Sequence, residues 1–393
     1  MNTFTPPGSA WGHADVAELV RSITPSVAES DERFLHSTSN DDVVKALAEV
    51  GLLGLTLPHR YGGMGRDYAD LGVVCEELGA VDTAHQVSFT VHLALTSACI
   101  LQWGTEEQRQ SWLPRLAHGE EIGTFGLTEP DAGSDVGALR MQARQVEGGF
   151  VLNGEKSWIS AANQASVYII FASVDLARRH KGITAFVVPA DAPGVSSTVL
   201  HGKLGLRSGD TGTVVCNGVF VPDEAVLGNI GEGFVVALST LGNGLFTVGC
   251  GALGIARACR EWTVEFLREV GADSQLDLGL LANMVAREQA SRLLLVRAAE
   301  LKNAGLPNAQ QTGVAKWRAS SAAVENARDA LEIWSRHSAG EHPTLLRHAF
   351  NAKATVIYGG TSEIHTSMQG AYALGYRIER PFRRPTPTAA DLA

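Results

Sequence analysis

Several things are scarce in this 393-residue chain. There are only five cysteines, Cys75, Cys99, Cys216, Cys250 and Cys259. None forms a C-x-x-C pair and none stands at metal-ligand spacing from a histidine, so neither a disulfide framework nor a metal centre is expected. Buried free thiols in a reducing compartment are the natural reading. No 18-residue apolar run is available to span a bilayer, and the opening residues Met1 to Val16 have neither a basic start nor an apolar core. A cytoplasmic protein with no membrane partner is expected. Internal repeats and low-complexity segments are also missing. Net charge is −10, and with no basic cluster this points away from nucleic acid as partner. It does not exclude an anionic ligand, because helix ends and single arginines hold phosphate.

What is present is apolar and plentiful. Hydrophobic residues make up 45% and charged residues 19% of a chain long enough for more than one core. Asn40 and Asp41 can cap a helix with Val43, Leu47 and Val50 on one face and Gly51 as its stop. Leu71, Val74, Cys75 and Leu78 repeat the spacing, with Gly79 as the expected stop. Val87, Val91, Leu95 and Ala98 predict a third helix, and Thr105 with Gln108 the capping box of a fourth.

From Ile122 the period changes. Short Val/Ile/Phe-rich runs separated by Gly, Asp or Asn predict a β domain. Beyond Gly228 helical spacing returns, with Leu278, Leu281 and Val285 sharing one face and Val314, Trp317, Val324, Leu331 and Trp334 another. The reading is α+β, with a helical domain over 1–121, a central β domain over 122–227, a helical bundle over 228–380 and a loose, proline-rich tail over 381–393.

The chain is organised around Gly123 to Ser160. An apolar run ends in Thr128-Glu129-Pro130, and Asp131 to Asp135 follow, where small residues let backbone amides approach a ligand. A second run, Glu155 to Ser160, sets the Trp158 indole beside hydroxyls. A flat ring with polar edges, such as a flavin, needs that combination. Taken as residues alone, a Trp in a strand is more often a core residue than a cofactor wall, and such a loop is more often a simple turn.

The string Phe125-Gly126-Leu127-Thr128-Glu129-Pro130-Asp131-Ala132-Gly133-Ser134-Asp135, followed some two dozen residues later by Trp158-Ile159-Ser160, closely resembles the flavin-binding signature of the acyl-CoA dehydrogenase family. Relatives usually carry Thr where this chain has Ser160. The likeness runs from about Asp41 to about Arg377. It implies FAD as cofactor, with Phe125, Leu127, Thr128, Ser134, Trp158 and Ser160 toward the ring, Thr361 and Glu363 beside the ribityl or pyrophosphate part, and Ser134 also facing the pantetheine arm of a thioester. It further implies an acyl-CoA or acyl-carrier-protein substrate, an unidentified electron acceptor, and a homodimer or homotetramer. The segment Leu245 to Cys259 is similar to carrier-protein-dependent members from secondary metabolism.

The family's reaction needs a carboxylate to take the α-proton of the acyl group. In most members this is the Glu of a Tyr-Glu-Gly-Thr motif. The matching position here is Gly359. Some members carry the base on an earlier helix, at the position of Gly244. Both lack a side chain. Glu363 is the nearest carboxylate in sequence and the candidate substitute base; its more ordinary reading is a first-turn acid complementing a helix N-terminus. Asp210, Glu232 and His92 are further ionisable residues with structural readings.

Two adenine-side segments also depart from the family pattern, Phe266 to Asp273, which is several residues short, and Glu332 to Arg336. Arg336 is a candidate phosphate ligand there. Three functions therefore stand: an FAD-dependent oxidoreductase on acyl thioesters, a flavin monooxygenase or redox-neutral carbanion enzyme of the same fold, and an inactive thioester- or partner-binding paralogue.

Overall fold

The computed structural model describes residues 12–379, 384 and 387–392. The apolar spacing noted above becomes α1 (Ala14–Ile23), α2 (Val27–His36), α3 (Asp41–Glu49), α4 (Tyr68–Val81), a long helix running from α5 (Thr83–Phe89) through a π-helical stretch (Thr90–Ser97) into α6 (Ala98–Trp103), and α7 (Glu106–Ala117). Gly51, at φ 78°, follows α3 in the left-handed conformation that glycine tolerates. The Thr105 and Gln108 capping box opens α7. Asn40 precedes α3 without capping it. Its amide instead donates to the Ala84 carbonyl and the Ser88 hydroxyl, tying α3 to α5.

Eight strands follow: β1 (Gly123–Gly126), β2 (Gln142–Val146), β3 (Gly149–Ser160), β4 (Val167–Ser173), β5 (Ile183–Pro189), β6 (Val195–Val199), β7 (Thr211–Pro222) and β8 (Val226–Leu227). They make one sheet in the order β6-β7-β3-β2-β4-β5-β8, with β1 pairing β4 in parallel. Six helices follow among the described residues: α8 (Gly233–Val270), α9 (Gln275–Asn303), α10 (Ala309–His337), α11 (Pro343–Thr355), α12 (Ser362–Ala373) and the short α13 (Ala389–Leu392). The architecture is a helical domain, a β-sheet domain and a second helical domain, as the α+β reading has it. One hydrophobic core joins the two helical parts to one face of the sheet, and a second lies on the other face.

Gly79 does not end its helix. α4 continues to Val81, and a Cβ on Gly79 would lie 2.3 Å from the Gly251 carbonyl oxygen on α8. Gly254 is matched in the same way, 2.1 Å from the Glu76 carbonyl. These glycines let α4 and α8 touch backbone to backbone, which is why α8 is rich in glycine at its centre.

α10 uses a related device. The large residues Val314, Trp317, Val324, Leu331 and Trp334 are only half-buried, while Ala315, Ala319, Ala322, Ala323, Ala327 and Ala330 form its buried face. Close packing on α8 excludes bulk there; a Cβ on Gly249 would sit 3.2 Å from the Lys316 Cα. On α9, Leu278 and Val285 are exposed, and the buried face carries Met284, Glu288, Ser291, Leu295 and Lys302. A charge-bearing buried face is invisible to an apolar periodicity.

Two expectations about surface and tail are corrected. The stretch Thr83–Trp103 and the helix Gly233–Val270 are both long and apolar enough to cross a bilayer. Of their apolar windows, 89% and 72% are buried inside the protein, so they serve as core helices. The tail is not loose where it is described: Gln102 donates to the Arg384 carbonyl, and the Arg384 guanidinium lies 5.0 Å over the Trp103 ring. All five cysteines are buried and free.

Gly79→Ala is expected to force α4 off α8 and cost about 1–3 kcal/mol, the range for overpacked cores. Urea unfolding of the variant, read against Gly370→Ala at a position with open space, measures it.

Candidate active site

The two halves of the central motif are clamped together by a buried ion pair. Lys156, fully buried on β3, donates from Nζ to Glu129 Oε1 at 2.7 Å and to the Leu127 carbonyl at 3.2 Å. The Glu129 carboxylate also accepts from the Arg140 and Met141 amides. The Ser157 amide donates to the Thr128 carbonyl, and the Thr124 hydroxyl to the Ser160 carbonyl. Burial pushes the Lys156 amine down to about 8 against the pull of Glu129 in the other direction. Neither charge was singled out from the sequence. Opposite charges at inward-facing positions of the two motifs were the available signal.

This clamp has a geometric consequence. The pairing of β3 with β7 slips between Lys156 and Ile159, a bulge that holds Trp158 at φ 59°. Left-handed backbone is costly for a bulky residue, by about 1–3 kcal/mol, and marks functional positions. Trp158 is 66% exposed although it sits in a strand whose neighbours Ser157 and Ile159 are buried. The indole is thus held out over open space, as a wall for a planar ring would be.

Around it, Thr128 and Ser160 are half-buried and Ser134 is exposed, in a loop where a Cβ on Gly133 would meet nothing within 4 Å. Phe125 and Leu127 are buried in the core, Phe125 with its ring 4.8 Å from Phe171, so these two offer backbone more than side chain to any ligand. These residues fit the isoalloxazine half of a flavin.

Thr361 caps α12, accepting from the Ile364 amide, and Glu363 is exposed in the first turn. The Glu363 carboxyl is held below the usual range by its own backbone N–H and by the Thr361 hydroxyl, which makes it a weaker proton acceptor. That is the behaviour of a first-turn acid.

Gly244 and Gly359 face different neighbours, and a Cβ on Gly244 would meet the Leu95 side chain at 2.9 Å. A Cβ on Gly359 would lie 3.6 Å from Leu245 and 3.7 Å from Val248, side chains of the α8 turn that follows Gly244. The third neighbour is Lys316, its Cε 3.9 Å from the same point. Lys316 Nζ donates to the Gly360 carbonyl at 2.8 Å, and burial pushes the amine down to about 7. His365 shares a hydrogen bond with the Gly359 carbonyl at 3.1 Å, and burial, then Lys316, lowers its proton affinity. The hydroxyl of Tyr358 is buried without a partner among the described residues, a polar atom left for a ligand or water. The polar side chains bonded to the Gly359–Gly360 turn are Lys316 and His365, and the preceding residue Tyr358 adds a phenol. Sequence analysis missed all three.

The remaining ionisable candidates are structural. His92 bridges the Leu116 carbonyl and the Gly123 amide, and burial pushes it down to about 4. Asp210 accepts from the Asn163 and Gln164 amides, and the Asn229 amide donates to Glu232 at the start of α8. Arg336 is bound to Asp277 together with His337, so its guanidinium is engaged within the protein. Around it Trp262, Phe266, Trp334 and His342 stack into an aromatic cluster. These two segments therefore hold an aromatic cluster and an arginine already engaged by Asp277.

An exposed indole over a clamped β-domain loop, between two helical domains, defines a flavoprotein class. Three models of one family match the chain: the acyl-CoA dehydrogenase N-terminal domain over residues 14–120, middle domain over 124–219 and C-terminal domain over 231–374. An acyl-CoA dehydrogenase of Bacillus subtilis is 35% identical over 339 residues, covering 85% of this chain and 89% of that protein. The structure is similar to butyryl-CoA dehydrogenase from Megasphaera elsdenii, with a TM-score of 0.88, 30% identity, and coverage of 95% of this chain and 100% of that one. It is also similar to a glutaryl-CoA dehydrogenase from Mycobacterium smegmatis in complex with FADH2, with a TM-score of 0.86, 32% identity, and coverage of 93% and 95%. The chain belongs to the acyl-CoA dehydrogenase family, whose members are FAD-binding flavoenzymes acting on acyl thioesters.

Two outcomes are expected. Glu129→Gln leaves Lys156 buried without its counter-charge and should cost about 3–5 kcal/mol, with Lys156→Met in the same chain restoring part of it; denaturant midpoints of the single and double variants report this. Trp158→Gly relieves the left-handed strain and removes the ring wall. The apoprotein should be as stable as wild type or more so, while the flavin absorbance per chain falls.

Proposed function

We propose that the protein is an FAD-dependent oxidoreductase acting on an acyl thioester, held by CoA or by a carrier protein, and working without the family's carboxylate base. The observation that carries this reading is glycine at position 359, where the nearest neighbours of an added Cβ are Leu245, Val248 and Lys316 and none is a carboxylate. The other glycine, Gly244, faces the Leu95 side chain, which leaves little room for a base there.

Bound flavin supplies a two-electron acceptor. The chain's own residues would do the rest: Trp158 bounds the ring, Thr128 and Ser160 offer polar contacts to it, and Ser134 faces the thioester arm. Proton removal falls to Lys316, to the substrate itself or to water, since a general base is worth about 10²–10⁴ in rate and no carboxylate is placed to supply it. The same vacancy favours a second reading with the flavin kept and the reaction changed, to oxygen-dependent monooxygenation or to redox-neutral carbanion chemistry. A homo-oligomer is part of the proposal, supported by the exposed apolar residues Leu278, Val285 and Leu293 on α9. A cytoplasmic location is proposed with it.

An absorption spectrum tests the reading. The purified protein should be yellow, and an acyl thioester should bleach it without oxygen. Bleaching by NAD(P)H or a reductase alone would favour the second reading, and colourless protein that takes up no FAD would end both. Gly359→Glu is expected to raise dehydrogenation of acyl-CoA by about tenfold or more. It should also lower stability by about 1–3 kcal/mol, because Gly359 sits at φ 62°. No gain with any acyl chain length would show that the pocket has diverged along with the base.

A further inference from the structure

One buried carboxylate outside the candidate site is bonded to three separate elements. Asp82 stands between α4 and α5, fully buried. Its Oδ1 accepts from the Ala84 amide at 3.0 Å, which opens α5, and from the Asn351 side chain on α11 at 2.8 Å. Its Oδ2 accepts from the hydroxyl of Ser208, itself buried, at 2.6 Å. Ser208 lies in the connection between β6 and β7, and Asn351 grips that connection a second time by accepting from the Leu206 amide at 2.7 Å. The Asn351 amide is therefore held from both ends. A carboxylate offers about four acceptor sites and no donor, so it takes three donors at once where an amide could not.

What this connection holds is the end of β3. The Asp210 carbonyl accepts from the Ala161 amide, its carboxylate accepts from the Asn163 and Gln164 amides, and Thr211 pairs with Ser160. Lys203 closes the connection on itself, donating to the Gly209 carbonyl and to the Thr211 hydroxyl. Its backbone also rests on a helix: a Cβ on Gly205 would lie 2.4 Å from the Phe350 carbonyl oxygen on α11. Trp158, Ala161 and Leu206 stand at φ 59°, 56° and 53°. Left-handed backbone at three residues with a Cβ persists only where the surroundings over-determine it. The Lys156 clamp holds β3 ahead of Trp158, and the connection tied to Asp82 holds it behind.

We infer that Asp82 is a positioning residue for the flavin: by fixing the connection between β6 and β7 against α5 and α11, it holds the Trp158–Ser160 end of β3 at the ring. The inference rests on the reading that this end of β3 faces the flavin.

The visible circular dichroism of the flavin-loaded protein and the rate at which it releases flavin on dilution test this without any turnover. Asp82→Asn places a donor against donors and is the direct variant; Ser208→Ala removes one bond and keeps the test open if Asp82→Asn fails to fold. Ser208→Ala should release flavin about tenfold faster and alter the flavin dichroism. Thr263→Ala is the control for a lost buried bond alone, since its hydroxyl donates to the Cys259 carbonyl within α8. It should lower the urea midpoint and leave both flavin signals unchanged. Asn351→Ala acts through the same carboxylate, so combined with Ser208→Ala its effect on release should fall short of the product of the two. A Ser208→Ala protein that behaves like Thr263→Ala overturns the inference, and a combined effect at or above the product overturns Asp82 as the common anchor. Trp158→Gly tests the underlying reading separately. Flavin signals that change in Ser208→Ala and not in Trp158→Gly would keep the anchor and remove the indole from the ring.

Discussion

Everything proposed for the site depends on the buried contact between Lys156 and Glu129. An ion pair withdrawn from water is poor value as a source of stability, since desolvation offsets most of the attraction. What it does supply is position. Glu129 takes the amine, two backbone amides and a place in a tight turn, and Lys156 is thereby fixed on the strand that must bulge two residues later.

The helical half of the site is set by a different constraint, the distance at which α8 meets α4 and α10. Glycine at Gly79, Gly251 and Gly254 and alanine along α10 bring three backbones close. That proximity carries Lys316 on α10 toward the Gly359–Gly360 turn and brings the α8 residues Leu245 and Val248 up to the same point. The base position is thus a meeting of three elements, and its composition follows from how near they lie.

This explains what could be read from the sequence and what could not. Strands and helices with apolar stripes were legible because periodicity reports burial of large side chains, and the Thr105 box and Gly51 stop were legible because capping is local. The flavin motif was legible as a string. Gly79 was misread because glycine at a helix end and glycine at a helix crossing look alike in one dimension. The α10 face was misread because alanine carries little hydrophobic weight, and the α9 face because Glu288 and Lys302 are buried by partners distant in sequence. Lys316 and Tyr358 escaped for the same reason: nothing local distinguishes a buried amine from a surface one.

The turn at Gly359 carries a backbone constraint of its own. Gly359 and Gly360 both adopt left-handed backbone, at φ 62° and 79°, and the chain enters α12 directly from that turn. Their carbonyls are both engaged, by His365 and by Lys316. A carboxylate here would sit beside an amine that burial has already driven toward neutrality, and its negative charge would draw that proton back. With glycine at 359, Lys316 has no carboxylate from that position beside it, and burial lowers its amine to about 7 while its Nζ donates to the Gly360 carbonyl.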